Sequence, residues 1–202
     1  MKFFVFIFIF ITACSPPSLH TGSPAEQLEI TEIDPDKWTV LTKQNIFHLA
    51  QVYDLSPLLF TRKIQIDAKA TFRSHPILTV NTKYAENPHK LLAKILHEQM
   101  LWWLNSKPKE AARGIKELKN FYFKSSQQKT SQKNDRYLQL MACYLEYRAL
   151  SFYLGNKHSV KIIKDFILED KLNSWSYTQI LLQHSPVKKI VEKLALTPGI
   201  LR

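Results

Sequence analysis

Leu91-Leu92-Ala93-Lys94-Ile95-Leu96-His97-Glu98-Gln99-Met100-Leu101-Trp102-Trp103 is the stretch on which the reading of this chain turns. Asn87 and Pro88 just ahead of it suit a helix start, the first as a cap for free N–H groups, the second as a residue preset for the first helical position. Asn105-Ser106-Lys107-Pro108 ends the helix. Between these limits Ala93, His97, Met100, Leu101 and Leu104 share one face, with Leu101 one turn beyond His97. Lys90, Lys94 and Glu98 form the neighbouring stripe. On spacing alone, the i,i+4 pairing of Lys94 with Glu98 predicts a solvated surface acid.

A helix that carries His-Glu and a second His four residues after the first holds zinc between two imidazoles, and its Glu activates the bound water. Here the place of the second imidazole is taken by Leu101, which cannot coordinate zinc. Three short motifs widen the likeness: Ser74-His75-Pro76-Ile77-Leu78-Thr79-Val80-Asn81-Thr82, then His97-Glu98-Gln99-Met100-Leu101-Trp102, then Cys143-Tyr144-Leu145-Glu146. Together they resemble an uncharacterised family of zincin-like metallopeptidases, over residues 58–185. Its pattern runs Ser-His-Pro, an apolar strand ending in Asn-Thr, His-Glu-Gln-x-His-Trp and a later Cys-aromatic-Leu-Glu. The resemblance implies that His97 is the first metal ligand, Glu98 the general base and Glu146 the third ligand in the manner of a gluzincin. The second ligand has no counterpart. Tyr177, in Trp175-Ser176-Tyr177, resembles a Tyr that the family places late in the chain, where a phenol donates to a developing oxyanion. Core packing explains the same aromatic residues equally well.

Outward from the motif helix, Ile46, Phe47, Leu49, Ala50 and Tyr53 have helical spacing over residues 41–53, which stops at Ser56-Pro57. Ile64 and Ile66 then alternate with polar neighbours, as in a half-buried strand, and Ile77-Leu78-Thr79-Val80-Asn81-Thr82 is a second β-rich run. The expected fold class is α+β: a minimal zincin-like core of helix, short sheet with an edge strand, motif helix and central Glu-bearing helix, with further C-terminal helices. In such a core the edge strand binds extended chain by strand addition, so the run from Ile77 is the place for a protein or peptide ligand. Residues 109–124 read as a basic amphipathic helix with Ala112, Ile115, Leu118 and Tyr122 on its apolar side, and residues 125–135 as a polar loop. Residues 136–154 form a helix that is apolar almost all round and therefore central, closed by Gly155-Asn156. Residues 160–172, 174–183 and 186–196 suggest three shorter helices.

Glu146 stands out within that apolar helix, because an unpaired buried carboxylate costs on the order of several kcal/mol or takes up a proton. Its partner is zinc in an intact gluzincin; a protonated His97 or a nearby Lys or Arg can substitute. A Glu that reaches solvent along a seam of the helix is the alternative. Cys143, three residues earlier, offers a thiolate for a replacement site with His97 and Glu146, although a buried Cys is more often a small hydrophobe. His75 and His184, each close to a proline, read as turn residues.

At the amino end, Lys2 and the apolar run Phe3 to Ile11 have the make-up of a targeting segment too short to span a bilayer. Ile11-Thr12-Ala13-Cys14 resembles a bacterial lipobox, which makes residues 1–13 a lipoprotein signal peptide and Cys14 the diacylated, palmitate-bearing first mature residue. An ordinary cleaved signal with a coincidental Cys is the alternative. Residues 14–30, rich in Ser and Pro, read as a tether, and residues 31–202 as a single zincin-like domain. The expected partner is therefore the membrane, through lipidated Cys14. Ser15 lacks the Asp associated with inner-membrane retention, so the expected place is the outer membrane facing the periplasm in a two-membrane cell. With only two cysteines, a disulfide framework is excluded. The formal charge of +11 favours anionic headgroups or acidic polymers, but the basic residues are scattered and accompany no nucleic-acid motif.

Three functional readings follow. The first is a cell-envelope lipoprotein with a degenerate zincin-like domain that serves as a non-catalytic binding or scaffold module without a cofactor. The second is an active metal-dependent peptidase that uses zinc on His97, Glu146 and a further ligand, with Glu98 as base. The third is a structural envelope lipoprotein unrelated to peptidases.

Overall fold

Asp36 explains where the first helix begins. Its Oδ1 accepts from the N–H groups of Trp38 and Thr39, while Thr39 Oγ1 accepts from Asp36 N at 2.7 Å, a reciprocal capping box. In the computed structural model, which describes residues 28–125 and 135–201, α1 therefore spans Lys37–Val52, starting ahead of the apolar periodicity that marks residues 41–53. The signal segment, Cys14 and most of the expected tether lie outside the described residues.

The sheet among the described residues has three strands, the second of which shows the expected alternation of buried and more exposed side chains. β1 is Glu29–Ile33, β2 is Lys63–Asp67 and β3 is Leu78–Val80, all parallel and in the order β1-β2-β3. Ile64 faces Ile30 on one side and Leu78 on the other, and Ile64, Ile66, Leu78 and Val80 are buried. β1 corrects the expected tether boundary: Leu28 is buried and Glu29 and Ile30 pair with Lys63 and Ile64, so the domain begins within residues 14–30. The expected edge strand does lie at the sheet edge. Its outward N–H and C=O at Thr79 are already bonded to Arg73, at 2.8 and 3.2 Å, so chain added there must displace Arg73.

The helices form the bulk of an α+β fold. α2 (Pro88–Asn105) starts at Asn87, whose side chain accepts from Lys90 N, with Pro88 in the first turn. α3 is Pro108–Ser125, α4 is Asp135–Leu154, and α5, α6 and α7 are Asn156–Glu169, Ser174–Gln183 and Ser185–Lys193. α2 and α4 are the central pair; α5 and α6 pack on α4, α3 and α7 pack on each other, and α1 with the sheet covers the opposite side of α2. α2 is buried continuously from Leu91 to Leu101, which overturns the expected solvated stripe of Lys94 and Glu98. Ala111 and Gly114 rather than Ala112 join Leu118 and Tyr122 on the inner side of α3. At Gly114 the helix comes so near α4 that a Cβ would meet Met141 Sδ at 2.8 Å. Gly155 turns the chain from α4 into α5 with φ +77°, a region open to glycine at little cost. Among the described residues no helix is long and apolar enough to cross a membrane.

Gln99 locks the sheet to the motif helix. Fully buried, its Oε1 accepts from Phe60 N at 2.8 Å and Thr61 N at 3.0 Å, and its Nε2 donates to Thr61 O at 2.8 Å. The segment that enters β2 thus has its backbone groups satisfied by one amide. Gln99→Ala removes that partner from two donors and one acceptor, and is expected to lower unfolding free energy by about 2–4 kcal/mol. Urea denaturation checks this; an unchanged midpoint would show that water serves those groups as well.

Candidate functional site

Side chains from three helices converge behind the sheet. On α4, Gln139, Cys143 and Glu146 are spaced four and three residues apart and so share one face. α2 directs His97 at that face, and α6 supplies Tyr177. His97 Nδ1 lies 2.8 Å from Glu146 Oε2, and His97 Nε2 lies 2.9 Å from Gln139 Oε1. The Tyr177 hydroxyl donates to the same carboxylate, at 3.0 Å from Oε2 and 3.3 Å from Oε1, and Cys143 Sγ is 4.0 Å from His97 Nδ1. His97 is 2% exposed; Glu146, Cys143 and Tyr177 are fully buried.

The charges follow from this geometry. Burial pulls the His97 imidazole down, but the adjoining Cys143 and Glu146 outweigh it and hold the group well above its usual value. His97 is accordingly an imidazolium, donating from Nδ1 to Glu146 and from Nε2 to Gln139. Burial and the Glu146 charge push the Tyr177 phenol well up, so it remains a neutral donor. Burial also raises the Cys143 thiol, against the lowering effect of the adjoining His97.

A second, linked pair sits one turn earlier on α2. Lys94 Nζ donates to Asp170 Oδ2 at 2.5 Å and to the Tyr177 hydroxyl at 3.4 Å, and it lies over the Phe166 ring, 4.4 Å from its centroid. Asn173 Nδ2 also donates to Asp170 Oδ2. The partner of Lys94 is therefore Asp170, not Glu98. Glu98 faces the other way, into a cleft of about 820 Å³ whose wall includes Lys94, His97 and Leu101. It is only 5% exposed, burial pushes its carboxyl up, and its Oε2 has no hydrogen-bond partner among the described residues.

The residues singled out in the sequence thus divide into two groups. His97, Glu146, Cys143 and Tyr177 meet in one buried network, while Glu98 and Leu101 line the cleft. The oxyanion role implied for Tyr177 needs a phenol on the cleft; its hydroxyl is instead spent on Glu146 behind the wall. His75 stacks on Trp102 at the cleft rim, and His184 packs near Tyr144 and Tyr147, both away from Glu146. Spacing on α4 contained a signal for Gln139. Nothing local in the sequence pointed to Asp170 or Asn173, which reach the site from the end of α5 and the turn after it.

The donor set of His97, Cys143 and Glu146 could hold a metal ion, its ligand atoms lying within 4.8 Å of one another. Its arrangement is that of a closed site. Two ligands on a tetrahedral zinc with bonds near 2.1 Å stand about 3.4 Å apart, whereas His97 and Glu146 are in direct hydrogen-bond contact at 2.8 Å. Catalytic zinc also keeps an open position for water, and neither Glu146 nor Cys143 lines the cleft. Compared with family models, curated proteins and solved structures, the chain matches none.

Asp170 tests the outer half of the network. Burial raises its carboxyl, but the Lys94 charge and the hydrogen bonds from Lys94 and Asn173 outweigh this and hold it below 3.8. The folded value lies below the unfolded one, so the contribution is complete above about pH 3.8 and is lost as pH falls through the folded value. Asp170→Asn leaves Lys94 buried without its counter-charge, and is expected to cost about 3 kcal/mol at pH 7. The difference from wild type in chemical denaturation shrinks toward zero in acid; a gap independent of pH would refute the charge assignment.

Proposed function

We propose that this chain is a cell-envelope lipoprotein whose domain is a degenerate zincin-like metallopeptidase, acting as a non-catalytic binding or scaffold module. The observation that carries the reading is the direct bond between His97 and Glu146. The two residues that the family resemblance makes metal ligands neutralise each other as imidazolium and carboxylate, and Tyr177 takes a further lone pair. Leu101, 7% exposed, stands on the cleft wall where the second imidazole belongs. A hydrocarbon there neither binds zinc nor supports a bound hydroxide. Glu98, the counterpart of the general base, has no metal-bound water to act on.

A second reading rests on Cys143. Its thiol, 4.0 Å from His97 Nδ1, supplies the third protein ligand that an active metal-dependent hydrolase with His97 and Glu146 needs. Zinc would there polarise a carbonyl and activate water, with the chain's part being to position it and to use Glu98 as base.

Metal content separates the two. Full-length protein, purified and measured by mass spectrometry, is expected to hold well under one equivalent of tightly bound zinc, and Leu101→His is expected to raise zinc affinity. Stoichiometric zinc in wild type that disappears in His97→Ala would overturn the non-catalytic reading in favour of the enzyme. No gain in Leu101→His would count against the zincin-like resemblance itself.

The envelope assignment rests on the lipobox-like Ile11-Thr12-Ala13-Cys14 and the tether-like composition that follows it. Cells fed a labelled fatty acid are expected to yield labelled, membrane-bound protein, and Cys14→Ser to abolish the label. Soluble, unlabelled wild-type protein would sink it.

A further inference from the structure

We infer that the cleft beside α2 binds a ligand with a free primary ammonium at its deep end and a carboxylate at its mouth, of the class of short peptides with free termini. This rests on the non-catalytic reading of the same cleft, in which Glu98 serves binding rather than water activation.

The deep end is built from two hydrogen-bond acceptors that lack donors. Glu98 is 5% exposed, and its Oε2 has no partner among the described residues. Asn173, also 5% exposed, spends its Nδ2 on Asp170, while its buried Oδ1 has no partner among the described residues. Both side chains line the same cleft. The cations on the wall beside Glu98 are both committed elsewhere, His97 to Glu146 and Gln139 and Lys94 to Asp170 and Tyr177. Buried acceptors without donors are rare because each forfeits its hydration. An ammonium offers three N–H donors and a charge opposite to that of Glu98. A hydroxyl supplies a donor without the charge, and a phosphate brings the wrong sign to a carboxylate.

The mouth has the reverse character. Arg73, Lys83 and Lys171 line it, all exposed, and none forms a salt bridge within the described residues. Arg73 uses Nε on Thr79 Oγ1, which orients the guanidinium, and Lys83 lies over the Tyr84 ring. The other acids on the cleft wall are already held, Glu169 by Lys90 and Tyr84 and Asp170 by Lys94. Unpaired cations at the rim and unpaired acceptors at the floor select a zwitterion in one orientation. A cleft of about 820 Å³ is too large for one amino acid and suits a peptide of a few residues.

Trialanine, its N-acetylated form and its C-terminal amide are the probes, titrated into full-length protein by calorimetry or NMR. Trialanine is expected to bind, N-acetylation to weaken binding at least about 10-fold, and amidation to weaken it less, because the rim is exposed to water. Glu98→Gln, which keeps the shape and removes the charge, is expected to weaken trialanine to the level of its acetylated form. Equal binding of free and acetylated peptide, no saturable binding of trialanine, or an unaffected Glu98→Gln variant each overturns the proposal. Should Glu98→Gln fail to fold, as judged by circular dichroism, the comparison of free and acetylated peptide on wild type decides alone. Metal content measured on the same samples separates the two levels. Stoichiometric zinc removes the non-catalytic reading whatever the peptides do, whereas metal-free protein indifferent to the amine removes only the ligand class.

Discussion

A carboxylate with no exposed surface sits at the centre of α4, and the helices around it are placed to satisfy it. Glu146 receives an imidazolium from α2 and a phenol from α6, so three helices are held in register by one side chain. Apolar packing alone tolerates a helix sliding by a fraction of a turn, whereas a buried charge does not, because its bonds weaken steeply with misalignment. The outer ring of the network extends the same constraint. Gln139 fixes the far nitrogen of His97, and Lys94 couples Tyr177 to Asp170, which anchors the turn between α5 and α6. An acid buried in an apolar helix needs a counter-charge, and a protonated His97 supplies one.

The two neighbours His97 and Glu98 then have opposite fates because consecutive residues on a helix point about a quarter-turn apart. His97 turns toward α4 and joins the buried network, while its ring also forms part of the cleft wall. Glu98 turns toward the cleft that the loop before β3 and the turn after α5 also line, and among the described residues its Oε2 has no donor. The same α2 therefore carries, on adjacent faces, a satisfied buried network and an acid whose Oε2 has no partner among the described residues. Gln99, next in line, faces a third way and holds the entry to β2. Three successive polar residues in a buried helix are costly unless each has a separate use, and the structure gives two of them one.

Helix positions were legible where caps and breakers agree with periodicity. Asn87-Pro88 and Gly155 fall at the ends they forecast, and residues 174–183 match α6. β1 was hidden because Glu29-Ile30-Thr31-Glu32-Ile33 breaks the apolar/polar alternation of a half-buried strand, leaving Ile33 exposed, and only its partner β2 makes it a strand. The meeting of His97 with Glu146 was legible, since a lone acid in an apolar helix demands a counter-charge. The misjudgement of Lys94 and Glu98 has the same root as β1. Their i,i+4 spacing is a local signal, and it lost to Asp170, 76 residues away, which local reasoning has no means to place.

Leu101 also bears on the pair of His97 and Glu146. Leu101, one turn beyond His97 on α2, puts a hydrocarbon on the cleft wall beside it. That wall lowers the local dielectric around His97 and Glu146, which strengthens their attraction and raises the cost of separating them. The charge pair stabilises the closed wall, and the wall in turn strengthens the pair. A hydrophobic residue one turn beyond His97 is thus the residue type that a buried ion pair favours beside it.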